Sequence, residues 1–171
     1  VPNAANGGFA DQTPRSHYSS NNVGYMGAFT PYKNVECLID ALQFAPEVTL
    51  HLCGKLPEAR KRALMARINK LGVTNRVVIH NGTTDEQYKQ ILSEARCSVT
   101  ASRLEGFGLP ILEAQQRGVP TAVADTPIFH EVGADSVLYF NPNSPKECAE
   151  VINKFSNKAT SEEYIARGLA N

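Results

Sequence analysis

This sequence has no surplus of charge: seventeen lysines and arginines stand against seventeen aspartates and glutamates. No long-range field draws nucleic acid or an anionic membrane surface to it, so any anion it binds must be held by local geometry. It has no apolar run near the roughly 18 residues a membrane helix requires, and no basic-then-apolar layout of a signal peptide at its start. Those two absences point to a cytoplasmic location. Cys37, Cys53, Cys97 and Cys148 form no C-x-x-C pair and lie inside apolar segments, which suits buried thiols better than disulfides or a zinc site. His17, His51, His80 and His130 show no H-x-x-x-H spacing, so no metal centre is expected.

What remains is the size and balance of one soluble domain: 171 residues, 42% hydrophobic and 20% charged. Residues 1–22, VPNAANGGFADQTPRSHYSSNN, are rich in Asn, Ser, Gly and Pro and have the composition of a linker or surface segment. Residues 23–171 form the expected folded domain. VGYMGAF (23–29) is expected as a strand, then NVECLIDALQFA (34–45) as a helix with Val35, Leu38, Ile39 and Leu42 at helical spacing. VTLHLCG (48–54) leads into EARKRALMARINKLG (58–72), with Gly72 as C-cap. RVVIHNG (76–82) leads into a helix from about Thr84, where Thr84 and Gln87 have capping-box spacing. Strands CSVTAS (97–102), VPTAVAD (119–125) and SVLYF (136–140) follow, with a short PIFHEV helix and a helix from about Ser144 to Phe155. Near-continuous apolar strands alternating with helices predict an α/β fold, a doubly wound, Rossmann-like parallel sheet covered on both faces. Ligands of such sheets bind at the carboxyl ends of the strands, so the loops leaving the strands are the places to look.

The first of these loops, GAFTPYKN (27–34), fits neither G-x-G-x-x-G nor the P-loop pattern. Lys33 stands just before a helix N-terminus, where a cation is mildly unfavourable unless an anion lies between them. It is either a solvated surface lysine or a phosphate contact. The second, IHNGTTDEQ (79–87), is explained by a strand, a glycine turn and a capped helix, with contact to a base ring as the alternative.

The third is LEGFGLPILEAQQRGV (104–119). Ser102 and Glu105 have capping-box spacing, but Gly106, Gly108 and Pro110 would then lie inside the helix, and proline alone costs about 3 kcal/mol there. The helix must start later, with Pro110 in its first turn and Gly118 at its end. No Ser, Thr, Asp or Asn immediately precedes Pro110, so the first backbone N–H groups lack a side-chain acceptor. A glycine-rich approach to an uncapped helix start suits an anion, phosphate better than carboxylate. Glu105 and Glu113 can border the same pocket from opposite sides, and beside a phosphate they serve best as acceptors for neutral hydroxyls. The ligand expected from these residues is polyhydroxylated and phosphorylated.

Glu105-Gly-Phe-Gly-Leu-Pro-x-x-Glu113 resembles the E-x7-E signature, in its EGFGLP-x-LEA form, of the retaining GT-B glycosyltransferases of the "group 1" family. Further similarities run along nearly the whole chain: V-x-Y-M-G at 23–27, Lys33, the L-x-L-x-G strand ending at Gly54, the turn at 78–82 and A-x-x-x-G-V-P-T at 114–121 with Gln in place of the usual small residue. Val1-Pro2-Asn3 is similar to the V-x-P-N that leads into that family's second domain. The resemblance implies a nucleotide-sugar donor site in one half of a GT-B fold. In it Glu113 holds the ribose, Glu105 the transferred sugar, Lys33 the diphosphate, and the backbone of Gly27, Gly106, Phe107, Gly108 and Leu109 lies along the donor. Lys33 and Glu105 would be the catalytic members. No cofactor and no metal are implied, the nucleoside-diphosphate sugar being substrate. The family usually carries Arg where this chain has Ala28, which removes one of two usual diphosphate cations.

The resemblance also implies an acceptor-binding N-terminal domain outside this chain, without which the donor half binds but does not transfer. The expected partners are thus the donor and an acceptor presented by that domain, with no nucleic acid and no transmembrane segment; the full-length protein is cytoplasmic or peripheral at the membrane. Two alternatives stand: a GT-B sugar-nucleotide epimerase or phosphorylase, and a non-catalytic nucleotide-binding module.

Overall fold

The structure, a computed structural model, describes residues 16–171. Six strands, β1 (Asn22–Met26), β2 (Thr49–Gly54), β3 (Val77–Asn81), β4 (Cys97–Thr100), β5 (Thr121–Ala124) and β6 (Leu138–Phe140), form one sheet in the order β3-β2-β1-β4-β5-β6. All five pairings are parallel. Seven helices join or follow them: α1 (Val35–Ala41), α2 (Glu58–Leu71), α3 (Asp85–Ser93), α4 (Leu109–Gln116), α5 (Pro127–Gly133), α6 (Pro145–Lys154) and α7 (Lys158–Ala170).

Side-chain alternation along the strands divides the core. Val23 and Tyr25 of β1 and Leu50 and Leu52 of β2 join a cluster with Val35, Leu38 and Ile39 of α1, Leu64 and Ile68 of α2, and Cys148 and Ile152 of α6. Gly24, between Val23 and Tyr25, faces Leu92 and Ile91 of α3 instead, and Cys53 packs with Tyr88, Leu92, Ala114 and Val119 in a smaller cluster. Because successive residues of a strand point to opposite faces, both must be covered, and every residue of β4 and β5 is buried. The edge strand β3 is only partly buried. The expected doubly wound sheet is the one observed.

Local signals act where they were expected. Thr84 accepts from Gln87 N–H while the Gln87 side chain accepts from Thr84 N–H, a complete capping box. The cysteines are free and buried, and burial pushes the Cys53 thiol up to about 11. α7 is absent from the expectation, which stops at Phe155. Its sequence, KATSEEYIARGLA, buries only Ser161 and Gly168, so it carries no apolar stripe to read. It docks through close approach instead: a Cβ on Gly168 would lie 2.9 Å from Cγ of Gln115 in α4. Gln115 donates to the Ser136 hydroxyl at 2.6 Å and accepts from Asn171 at 3.0 Å.

Of the polar first stretch, residues 16–21 are tied to the sheet. Ser20 Oγ donates to the Glu94 carbonyl, and the buried Arg96 donates to the Ser20 carbonyl at 2.8 Å and to Asn21 Oδ1 at 3.0 Å. Val1-Pro2-Asn3 lies outside the described residues.

The exits of β1 and β2 touch backbone to backbone. Gly27 N–H donates to the Cys53 carbonyl at 3.1 Å, and a Cβ on Gly54, whose φ is +140°, would stand 2.1 Å from the Gly27 carbonyl oxygen. Only glycine fits both the dihedral and the space. Gly54→Ala should destabilise the chain by about 2 kcal/mol or more, as strained backbone substitutions do, measured by urea unfolding; an unchanged midpoint would contradict this close contact.

Candidate functional site

The loop leaving β1 ends in a short 3-10 turn, Pro31–Lys33, and Asn34 then takes the left-handed conformation (φ 56°, ψ 38°) before α1 begins. The loop leaving β4 runs from Ala101 to Gly108. Ser102 does not cap a helix there: it is buried and its hydroxyl donates to the Leu104 carbonyl at 2.7 Å. Gly108, at φ 65°, turns the chain into α4, which begins at Leu109-Pro110 with no side-chain cap. A Cβ at Gly108 would lie 3.2 Å from Val132 of α5, so the turn is pressed against its neighbour and needs glycine on both counts. α4 ends before Gly118, which has φ 67°. The delayed, bare helix start expected from the sequence is present.

These two loops are joined. Lys33 Nζ donates to Glu105 Oε1 at 2.6 Å, with side chains only 15% and 10% exposed. Arg103 N–H donates to the Tyr32 carbonyl at 2.9 Å, and Lys33 Nζ lies 5.6 Å from the centre of the Tyr32 ring. Tyr32, Lys33, Leu104, Glu105 and Gly106 line an open pocket of about 270 Å³. Beneath it, burial and then the negative charge of Glu105 push the Tyr25 phenol far above its ordinary range; that hydroxyl donates to the Ala28 carbonyl. Phe107, 78% exposed, projects from the rim with Leu104 and Leu109, also exposed.

Of the expected residues, Lys33, Glu105 and Gly106 share this pocket. Gly27 lies at the exit of β1, where a Cβ would meet Tyr25 Oη at 2.7 Å. Gly108 and Leu109 open α4. Glu113 is exposed on α4 and is not in the pocket lining; its charge helps to raise the buried phenol of Tyr88, after burial itself. The two acids therefore flank the start of α4 at different depths. The expected division, with one acid on each side of a single ligand, requires a molecule longer than the pocket.

Three contributors were not foreseen. Tyr32 lines the pocket but sits in a turn without periodicity, and Arg103 matters through its backbone N–H. Asn34 had one visible signal: asparagine directly before a helix, a residue that tolerates the left-handed conformation. At Ala28, the side chain is exposed; Arg60 from α2 reaches the next residue, donating to the Phe29 carbonyl at 2.6 Å and lying 2.7 Å from Glu36. Among the described residues, no three His, Cys, Asp or Glu side chains are grouped to hold a metal, and no helix is long and apolar enough to cross a membrane.

A six-stranded parallel sheet in this order, covered by helices, is a doubly wound, Rossmann-like fold of the kind found in GT-B glycosyltransferases. The chain belongs to the family of glycosyl transferases group 1, whose model matches residues 11–168. It is 31% identical over 153 residues to O-antigen chain mannosyltransferase B of Escherichia coli, covering 85% of this chain and 40% of that protein. It is 28% identical over 154 residues to the O-antigen chain mannosyltransferase RfbU of Salmonella typhimurium, covering 83% of this chain and 41% of that protein. The Anabaena protein Alr3699/HepE, solved in complex with UDP and glucose, superposes with a TM-score of 0.80 at 26% identity, over 88% of this chain and 43% of that one. The chain thus spans about two fifths of the length of these three proteins.

The Lys33–Glu105 pair is short and mostly removed from water, so its two members should be energetically coupled. A double-mutant cycle with Lys33→Met and Glu105→Gln should give a coupling of about 1–3 kcal/mol in unfolding free energy. Additive effects would mean that the two side chains act independently.

Proposed function

We propose that this chain is the donor-binding half of a retaining glycosyltransferase that moves a hexose from a nucleoside-diphosphate sugar to a hydroxyl acceptor. The observation that carries the reading is the bare N-terminus of α4 beside a lysine and a carboxylate at the strand exits. The uncapped start of α4 and Lys33 suit a diphosphate, and the carboxylates suit hydroxyls. Mannose is the favoured hexose, because the relatives named above are mannosyltransferases; a further relative from Xanthomonas oryzae, 27% identical over 96 residues, is named for GDP-mannose. O-antigen synthesis by those relatives supports a role in polysaccharide or glycoconjugate assembly, at the cytoplasmic side of a membrane.

In this reading the diphosphate approaches α4 and draws Lys33 away from Glu105. Glu105 is then free to accept hydrogen bonds from the transferred sugar, and Glu113 from the ribose. The backbone from Gly27 and from Gly106 to Leu109 permits close approach. The acceptor oxygen bonds to the anomeric carbon as the bond to the diphosphate oxygen breaks, with configuration retained and the hydroxyl proton passing to the departing diphosphate oxygen. Lys33 and the start of α4 stabilise charge on the departing nucleoside diphosphate, a preorganised electrostatic effect. The acceptor is held by a domain outside this chain, and no metal or cofactor takes part. Ala28, in place of the cation usual to the family, favours a second reading in which the chain binds nucleotide without catalysis.

Calorimetric titration with GDP, UDP, GDP-mannose and UDP-glucose tests the reading directly. Binding of a nucleoside diphosphate or its sugar is expected, GDP-mannose foremost, and failure of all four to bind would remove it. Glu113→Ala should weaken binding of the nucleoside diphosphate by about 1–3 kcal/mol, the cost of losing a charged acceptor. Unchanged affinity would take the ribose away from Glu113.

A further inference from the structure

Asn34 is one of two non-glycine residues with positive φ among the described residues, and its side chain is buried. A left-handed bend between the 3-10 turn and α1 would be met by glycine with no side chain at all. Asn34 does more than bend. Its Nδ2 donates to the Ala101 carbonyl at 3.0 Å and to the Pro142 carbonyl at 2.9 Å. Both partners are acceptors, so the amide must present its nitrogen to them, and its two hydrogens are both used.

Those carbonyls lie just past the ends of β4 and β6, while Asn34 itself lies past β1. One side chain therefore ties three strand exits together. Arg103 repeats the pattern next door: its N–H bonds the Tyr32 carbonyl and its guanidinium donates to Asn143 Oδ1 at 2.6 Å. Lys33 immediately precedes Asn34, and Glu105 follows Ala101 by four residues, so the tie lies beside both members of the ion pair. We infer that Asn34 is a positioning residue: it holds the β1 loop against the β4 loop so that Lys33 meets Glu105. This rests on the diphosphate site proposed above, and it assigns to Asn34 no contact with the ligand.

Two variants of the 171-residue chain separate bending from tying. Asn34→Gly keeps the left-handed bend and removes the amide; Asn34→Asp keeps the shape but presents acceptors to two carbonyls. Both should exchange the amide hydrogens of 32–34 and 102–108 faster than the parent while those of α7 are unchanged. Both should also lose about tenfold in preference for GDP over guanosine, the scale of a misplaced charge-assisted hydrogen bond. Parent-like exchange in 102–108 for Asn34→Gly would overturn the inference and leave only the bend. Should the parent chain itself bind GDP no better than guanosine, the diphosphate reading falls, and the exchange comparison still decides whether Asn34 ties the loops.

Discussion

Everything in this molecule follows from the sheet being parallel. Each strand must enter at one edge and leave at the other, so all six carboxyl ends, and the loops that follow them, gather along a single rim. The helices that return the chain cover both faces, which is why β4 and β5 are buried at every residue. Chemistry is confined to the rim. In the proposed reading the rim binds a diphosphate without the help of net charge, since the chain's acids and bases balance.

It does so by withholding local satisfaction. α3, whose start has no role in the pocket, is closed by a complete capping box. α4 starts on a left-handed glycine with no side-chain cap; Pro110 has no N–H, and the Ile111 N–H donates to the Gly108 carbonyl at 3.1 Å. α1, α2 and α5 likewise start without a side-chain cap, and α6 and α7 carry one, so what sets α4 apart is its glycine-rich approach rather than the missing cap alone. Lys33 and Glu105 meanwhile neutralise each other, which keeps two mostly buried charges tolerable. Close backbone packing at Gly27 and Gly54 and the tie made by Asn34 then limit how far these loops can drift.

What was legible beforehand has a common character. The alternation of strands and helices, the capping box at Thr84 and Gln87, and the displaced start of α4 all depend on residues within a few positions of each other, where sterics and hydrogen bonding act through the local backbone. α7 was illegible for the complementary reason: it is held by Gly168 against Gln115 and by Asn171, contacts across more than fifty positions that leave no periodic trace. Tyr32 and Arg103 escaped notice for a related reason: the bond that joins their loops is between a carbonyl and an N–H that every residue possesses, and Arg103's side chain meets Asn143 forty positions away.

By itself, then, the sequence determined the doubly wound sheet, the bare start of α4 and the short list of charged groups near it, because hydrophobic period and turn chemistry are properties of neighbouring residues. Only the tertiary structure decided that Lys33 meets Glu105 rather than solvent, that Glu113 stands apart from that pair, and that Asn34 ties three strand exits. The reason is distance along the chain: Lys33 and Glu105 are separated by 72 positions, and nothing short of the order in which the strands assemble brings them within a hydrogen bond.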